Sequence, residues 1–146
     1  MMTPEAGVRV RVTRHFAASA EHVFDAWLDP VKARHFLFAT PAGHIVRCEI
    51  DPRVGGRYAV VDRRDGEDVE HTGEYLEIDR PRRFGFTLSV PKYGQDVSSI
   101  FIDIVPLESG CELTLTHHLD PALAEFTKRA EEGWKGILEG LAGTVG

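Results

Sequence analysis

The sequence predicts an α+β fold: a curved antiparallel sheet wrapped around a long C-terminal helix, with two short helices after the first strand. Three observations carry that expectation. Short runs of period-two alternation, separated by turn residues, recur from Val8 to His118. One long amphipathic stretch follows, with Leu123, Phe126, Ala130, Trp134, Ile137, Leu138 and Leu141 at helical spacing. No repeat, linker or low-complexity tract interrupts this order.

Val8, Val10 and Val12 alternate with Arg9, Arg11 and Thr13, the pattern of a half-buried strand ending near Phe16. Ser19 opens Ser-Ala-Glu-His, a capping box with His22 in place of the usual Glu or Gln. Val23, Phe24, Ala26, Trp27 and Leu28 then give a short helical face that Asp29-Pro30 ends. A second short helix is expected over residues 31–36, followed by an apolar loop over 36–43 that should have something to cover.

Strands are expected at residues 44–50 and 57–62, with Pro52 and Gly55-Gly56 turning the chain between them. Asp65-Gly66 marks a hairpin whose connection reads as longer and more charged than a two-residue turn. Further strands follow at 71–79, 83–90, 98–106 and 111–118, with turns at Pro91–Gly94 and Ser109-Gly110. Sequential strands with short connections make an antiparallel meander, which needs only one buried face. Asp120 then serves as an N-cap with Pro121 at the first helical position, so the long helix is expected from 120 to about 141.

At 146 residues the chain is expected to form one domain, with 1–7 as a flexible N-terminus. A net charge of −6 argues against nucleic acid as a partner, since phosphate binding needs a basic surface. Arg80-Pro81-Arg82-Arg83 is read as a solvated turn. Cys48 and Cys111 lie far apart within strand-like runs, as reduced core thiols would. With no apolar leader and no run near ~18 apolar residues, a cytoplasmic protein without a membrane partner is expected.

Alternation can point several apolar stripes toward the helix: Phe84, Phe86 and Leu88; Ile100, Ile102 and Ile104; Leu113 and Leu115. Trp27, Phe36, Phe38, Phe126 and Trp134 add aromatic surface. This inventory suits an apolar ligand cavity and a filled core equally well. Polar residues in phase with such stripes discriminate better, because burying them unpaired costs ~1–3 kcal/mol. His117 is in phase with Leu113 and Leu115, and Tyr58 with Val60. His71 and Tyr75 share one face, opposite Leu76 and Ile78, and which face is inside stays open. Arg14 is read as satisfied by local backbone bonds.

Metal binding has little support. His117 and His118 point to opposite strand faces, and no His-x-x-x-His or Cys-x-x-Cys spacing occurs among seven histidines and two cysteines. No cofactor is expected. There is no Gly-x-Ser-x-Gly elbow, and Gly55-Gly56 precedes a strand, not a helix N-terminus that could cradle phosphate. Acid–base chemistry by a buried His or Glu stays open, although spacing pairs none of Glu49, Glu74 and Glu77. Gly133, Gly136, Gly140 and Gly143 line one side of the long helix, each at ~1 kcal/mol relative to alanine. Gly136 and Gly140 are therefore expected against a packed neighbour, either the first helices or the second subunit of a homodimer.

Several of these segments resemble one known family. Arg14-His-Phe-Ala-Ala-Ser-Ala-Glu-His-Val-Phe-Asp-Ala-Trp27 is similar to its opening strand and helix. Asp51-Pro-Arg-Val-Gly-Gly56 resembles its Asp-x-Arg-Pro-Gly-Gly turn, with Val54 where proline is usual. Gly73-Glu-Tyr-Leu-Glu-Ile-Asp-Arg-Pro81, Phe84-Gly-Phe-Thr87, Leu113-Thr-Leu-Thr-His117 and Gly133-Trp134 complete the series. The chain resembles proteins related to the C-terminal domain of the activator of Hsp90 ATPase, within the START-like, helix-grip superfamily.

The resemblance implies a sheet gripping the C-terminal helix, with an intervening cavity that in many members holds a small hydrophobic molecule. The expected function is binding of a small apolar or amphipathic molecule without catalysis. The alternatives are a cyclase- or dehydratase-like enzyme using His117 or Tyr75, and a chaperone-interaction module. The candidate ligand residues are Trp27, Phe36, Phe38, Tyr58, Tyr75, Phe84, Phe86, Ile100, Ile102, Leu115, His117, Phe126 and Trp134.

Overall fold

The computed structural model describes residues 8–40, 43–94 and 97–145, so the expected flexible segment 1–7 lies outside the described residues. Seven antiparallel strands form one sheet in the order β1-β7-β6-β5-β4-β3-β2. They are β1 (Val8–Phe16), β2 (His44–Ile50), β3 (Arg57–Arg64), β4 (Glu67–Asp79), β5 (Arg83–Ser89), β6 (Val97–Pro106) and β7 (Cys111–Leu119). Strands β2 to β7 form the expected meander, and β1 closes the order by pairing with β7 from Val8↔Leu119 to Phe16↔Cys111. Helices α1 (Ala20–Leu28) and α2 (Pro30–Ala33) follow β1, and α3 (Thr127–Val145) ends the chain.

Local chemistry sets the helix starts. Ser19 Oγ accepts from the His22 N–H at 3.1 Å, capping α1 without help from a glutamate. Asp29 both ends α1 and starts α2: its Oδ1 accepts from the Val31 N–H at 2.9 Å, with Pro30 in the first turn. Helix α2 stops at Ala33, short of the expected residue 36, and the chain turns through Phe38 with φ of 59°.

Three other expectations change. The Asp65-Gly66 hairpin is a two-residue turn after all: Arg64 pairs with Glu67, and Asp65 and Gly66 take φ of 50° and 81°. Both values are positive, the requirement of a type I′ turn, and β4 accordingly begins at Glu67. The long helix does not begin at Asp120. Residues Pro121–Phe126 are 3₁₀, broken at Leu123 (φ −102°, ψ 18°), and α3 starts at Thr127 and runs to Val145. Leu123 and Phe126, three residues apart, share one side of this 3₁₀ segment as they would in an α-helix.

The third concerns β4. His71 and Tyr75 point inward, at 6% and 3% exposure, while Leu76 points out at 44%. Ile78 also packs on the core, although it is out of phase with Tyr75. A register shift against β5 between Tyr75 and Glu77 supplies the missing residue and reverses the facing.

Gly73 lies opposite Tyr58 and next to that shift. A Cβ there would overlap the Thr87 carbonyl and come within 2.7 Å of the Tyr58 ring. Without it, Tyr58 crosses β4 and donates its hydroxyl to the Thr87 carbonyl at 2.8 Å.

The core lies between the concave sheet face, α1, α2 and α3. Trp134, Leu138 and Leu141 are the buried residues of α3, and the stripes ending in Ile104 and Leu115 meet them from the sheet. Cys111 is buried and Cys48 half-buried, both as free thiols. The basic cluster is ion-paired: Arg80 forms a bidentate bond with Asp25 of α1 at 2.8 Å on both arms, and Arg83 bridges Glu77 and Asp103. Arg14 also departs from its expected local bonding, because Nη1 reaches Glu139 on α3 at 2.8 Å. Of the glycine stripe, Gly140 meets Phe36, whose Cβ would lie 3.1 Å from an added Cβ. Gly136, expected against a neighbour, has nothing within 4 Å.

Candidate functional site

The space between sheet and α3 is filled at one end and hollow at the other. At the filled end Trp27 meets Phe36 edge-on at 5.3 Å and Phe84 at 5.7 Å. Phe84 stacks on Phe86 at 6.0 Å, and Phe86 meets the Tyr58 ring at 5.6 Å. The remaining void, lined by Trp27, Leu37, Tyr58, Tyr75, Phe84 and Phe86, is about 10 Å³. That is about the space of one water molecule. Burial pushes the Tyr58 and Tyr75 hydroxyls above their ordinary pKa, so both stay protonated.

At the other end a cavity of about 710 Å³ opens between the N-terminal half of α3 and strands β3 to β7. Leu88, Val90, Leu119, Leu123, Phe126 and Ile137 are among its apolar lining residues. Phe38 divides the two ends: it faces Tyr58 at 6.3 Å on one side and stacks on His71 at 4.3 Å on the other. It does so from the left-handed backbone region, which an aromatic residue rarely adopts. Trp134 meets the same ring at 5.7 Å.

Of the candidate residues, Phe38, His117, Phe126 and Trp134 line this cavity. Trp27, Tyr58, Tyr75, Phe84 and Phe86 surround only the small void, and Phe36, Ile100, Ile102 and Leu115 are packed core that lines neither space. Sequence reasoning passed over Ser98, Arg64 and Arg129 as lining residues. Ser98 could have been found as the polar residue in phase with Ile100, Ile102 and Ile104. Nothing in the local pattern marks the two arginines.

The polar wall is built on His117. The Trp134 indole N–H donates to His117 Nδ1 at 2.9 Å, and His117 Nε2 lies 2.8 Å from Ser98 Oγ. An indole nitrogen can only donate, so Nδ1 must accept and the imidazole proton sits on Nε2, donated to Ser98. The Ser98 hydroxyl therefore has its own hydrogen left to give. Burial, and secondarily the nearby His118, lowers the His117 pKa to about 4.

This is the opposite tautomer from one that would take a proton from serine, so the pair does not form an activated nucleophile. His71 is likewise held neutral by burial, with a pKa of about 4, and its Nδ1 lies 3.3 Å from the Val60 carbonyl, to which it donates. Among the described residues no group of three or more His, Cys, Asp and Glu side chains is placed to hold a metal. No helix among them is long and apolar enough to cross a membrane.

A sheet wrapped on a C-terminal helix, with two short helices after the first strand, is the helix-grip architecture of the START-like superfamily. Within it, the family model of the activator of Hsp90 ATPase homolog 1-like proteins matches residues 17–146, and this chain belongs to that family. A crystal structure of a Chromobacterium violaceum protein superposes with a TM-score of 0.84 at 26% identity, covering 94% of this chain and 96% of that one. A Nitrosomonas europaea protein gives 0.83 at 20% identity, over 99% and 97%. The solution structure of an AHSA1-like protein from Aeromonas hydrophila gives 0.79 at 21%, over 94% and 92%. No curated protein sequence matches the chain.

Proposed function

We propose that this chain binds a small apolar or amphipathic molecule, without transforming it, in the hollow end of the helix grip. The observation that carries this reading is the cavity of about 710 Å³ with its largely apolar wall. Small-molecule sites typically span ~300–1,000 Å³, with a few placed polar groups in an apolar lining. The two groups that acid–base chemistry would need are not poised for it. His117 has both nitrogens committed, and Tyr75 lies at the small void. His117 therefore offers neither a proton nor a lone pair to a substrate, and Tyr75 is away from the cavity, which favours binding over acid–base chemistry.

Gly133 gives a direct test, because it lines the cavity and an added Cβ would meet nothing within 4 Å. Titration with the neutral apolar dye N-phenyl-1-naphthylamine is expected to be saturable and to quench Trp134. Gly133→Leu fills the site while improving helix propensity, so dye affinity should drop at least about tenfold with no loss of thermal stability. Equal affinity in Gly133→Leu would sink the reading. A native mass spectrum of freshly purified protein would in addition weigh any molecule it carries.

A further inference from the structure

Building on that binding reading, we propose that the bound molecule carries a carboxylate head, received by Arg64 and Arg129 at the cavity wall, with its apolar body inside. The charged residues of the lining are these two guanidinium groups, and among the described residues no carboxylate joins them. That bias is set in a chain of net charge −6.

Arg64 is held in place from behind. Its Nε donates to Asp62 Oδ2 at 2.6 Å, and Asp62, itself fully buried, also accepts from Thr40 Oγ1 at 2.8 Å. The carboxylate of Asp62 offsets the charge of Arg64 but takes only its Nε–H. Among the described residues no hydrogen bond uses the two Nη groups, so the planar end of the fork is left to donate. A carboxylate accepts two parallel N–H bonds in that geometry.

Arg129 supplies the second charge. It forms no ion pair among the described residues, and its guanidinium lies 6.0 Å from the Phe126 ring. It also stands near the start of α3, beside Lys128, where the first turn carries no acidic residue. The helix dipole disfavours cations there by ~0.3–1 kcal/mol, and acidic residues are the usual choice. A local preference broken at a cavity wall is a mark of function. The third donor is the Ser98 hydroxyl, whose oxygen already accepts from His117 and whose hydrogen is left to give.

Two cations and a hydroxyl donor complement an acceptor-only head on an apolar body. They repel an amine or a quaternary ammonium group, and they give a neutral alcohol no charge to pair.

Displacement of N-phenyl-1-naphthylamine by decanoate, decanol and decyltrimethylammonium at pH 7.5 separates these heads on one apolar chain. Decanoate is expected to displace the dye at about tenfold lower concentration than decanol, with decyltrimethylammonium weakest. Arg129→Gln should close most of the gap while leaving decanol unchanged. Arg64→Gln should act likewise, but it also strips the buried Asp62 of its charged partner, so the exposed Arg129 is the decisive position. If decanol competes as well as decanoate, the carboxylate proposal falls and the binding reading stands. If the dye itself does not bind, both fall.

Discussion

The two ends of the helix grip are built from the same alternating strands and the same helix, yet one is solid and the other hollow. At the filled end α1 delivers Phe24 and Trp27 onto Phe84, and Phe36, just past α2, packs edge-on against Trp27, leaving a void of about 10 Å³. At the hollow end the facing part of α3 presents Ala130 and Gly133 between Arg129, Trp134 and Ile137, and about 710 Å³ stays unfilled. The sheet stripes alone do not decide the outcome. What decides it is the volume carried by the elements that cover them, since cores fill to crystal-like density only where side chains reach. Phe38 stands at the boundary, its ring shared between Tyr58 and His71.

The strongest way to break this comparison is truncation at each end. Phe84→Ala should cost about 3–5 kcal/mol in denaturant unfolding, because Phe84 is 1% exposed and held by Phe24, Trp27 and Phe86. Phe126→Ala, at a side chain 40% exposed, should stay within about 0.5 kcal/mol while weakening dye binding. Equal stability losses would show the two ends to be one core.

Acid sharpens the comparison next, because both buried histidines belong to the hollow end. The unfolded chain protonates each near its ordinary pKa of ~6.5, and the folded chain only at about 4. Between those values the unfolded state binds more protons, so stability falls as the pH drops from 6.5 toward 4 and is unaffected above that window. The loss approaches ~3 kcal/mol per histidine at the lower limit. Unfolding curves of His71→Phe across this range should show about half of the wild-type slope. An unchanged slope would place the acid sensitivity elsewhere.

The smallest effect lies on α3 itself. Gly136→Ala should raise stability by up to ~1 kcal/mol, since its added Cβ meets nothing within 4 Å. Gly140→Ala should gain less or lose, because its Cβ would press on Phe36 at 3.1 Å. A Gly140→Ala gain equal to that of Gly136→Ala would mean that the filled end has slack.

Much of this was legible in the chain. Period-two runs placed every strand within a few residues, Ser19 located the start of α1, and Asp29-Pro30 located its end. The family resemblance rested on segments such as Asp51–Gly56 and Gly73–Pro81, where turns and close approaches restrict the residue. Gly73 shows why: its missing side chain lets Tyr58 pass to Thr87. His117, in phase with Leu113 and Leu115, was correctly suspected of facing inward, at 5% exposure.

Alternation reports which face of a strand is inside, because successive side chains point to opposite sides. It says nothing about what stands across from that face. For that reason nine of the thirteen candidates, such as Trp27 and Ile100, lie in packed core or around the small void, not at the cavity. Only the tertiary structure brought Arg64 from β3, Ser98 from β6 and Arg129 from α3 to one cavity. The same holds for the His117 tautomer, which depends on an indole 17 residues away. The chain by itself determined the fold and its buried face, through local periodicity; the filled and hollow ends were decided by long-range packing volume, which no local pattern encodes.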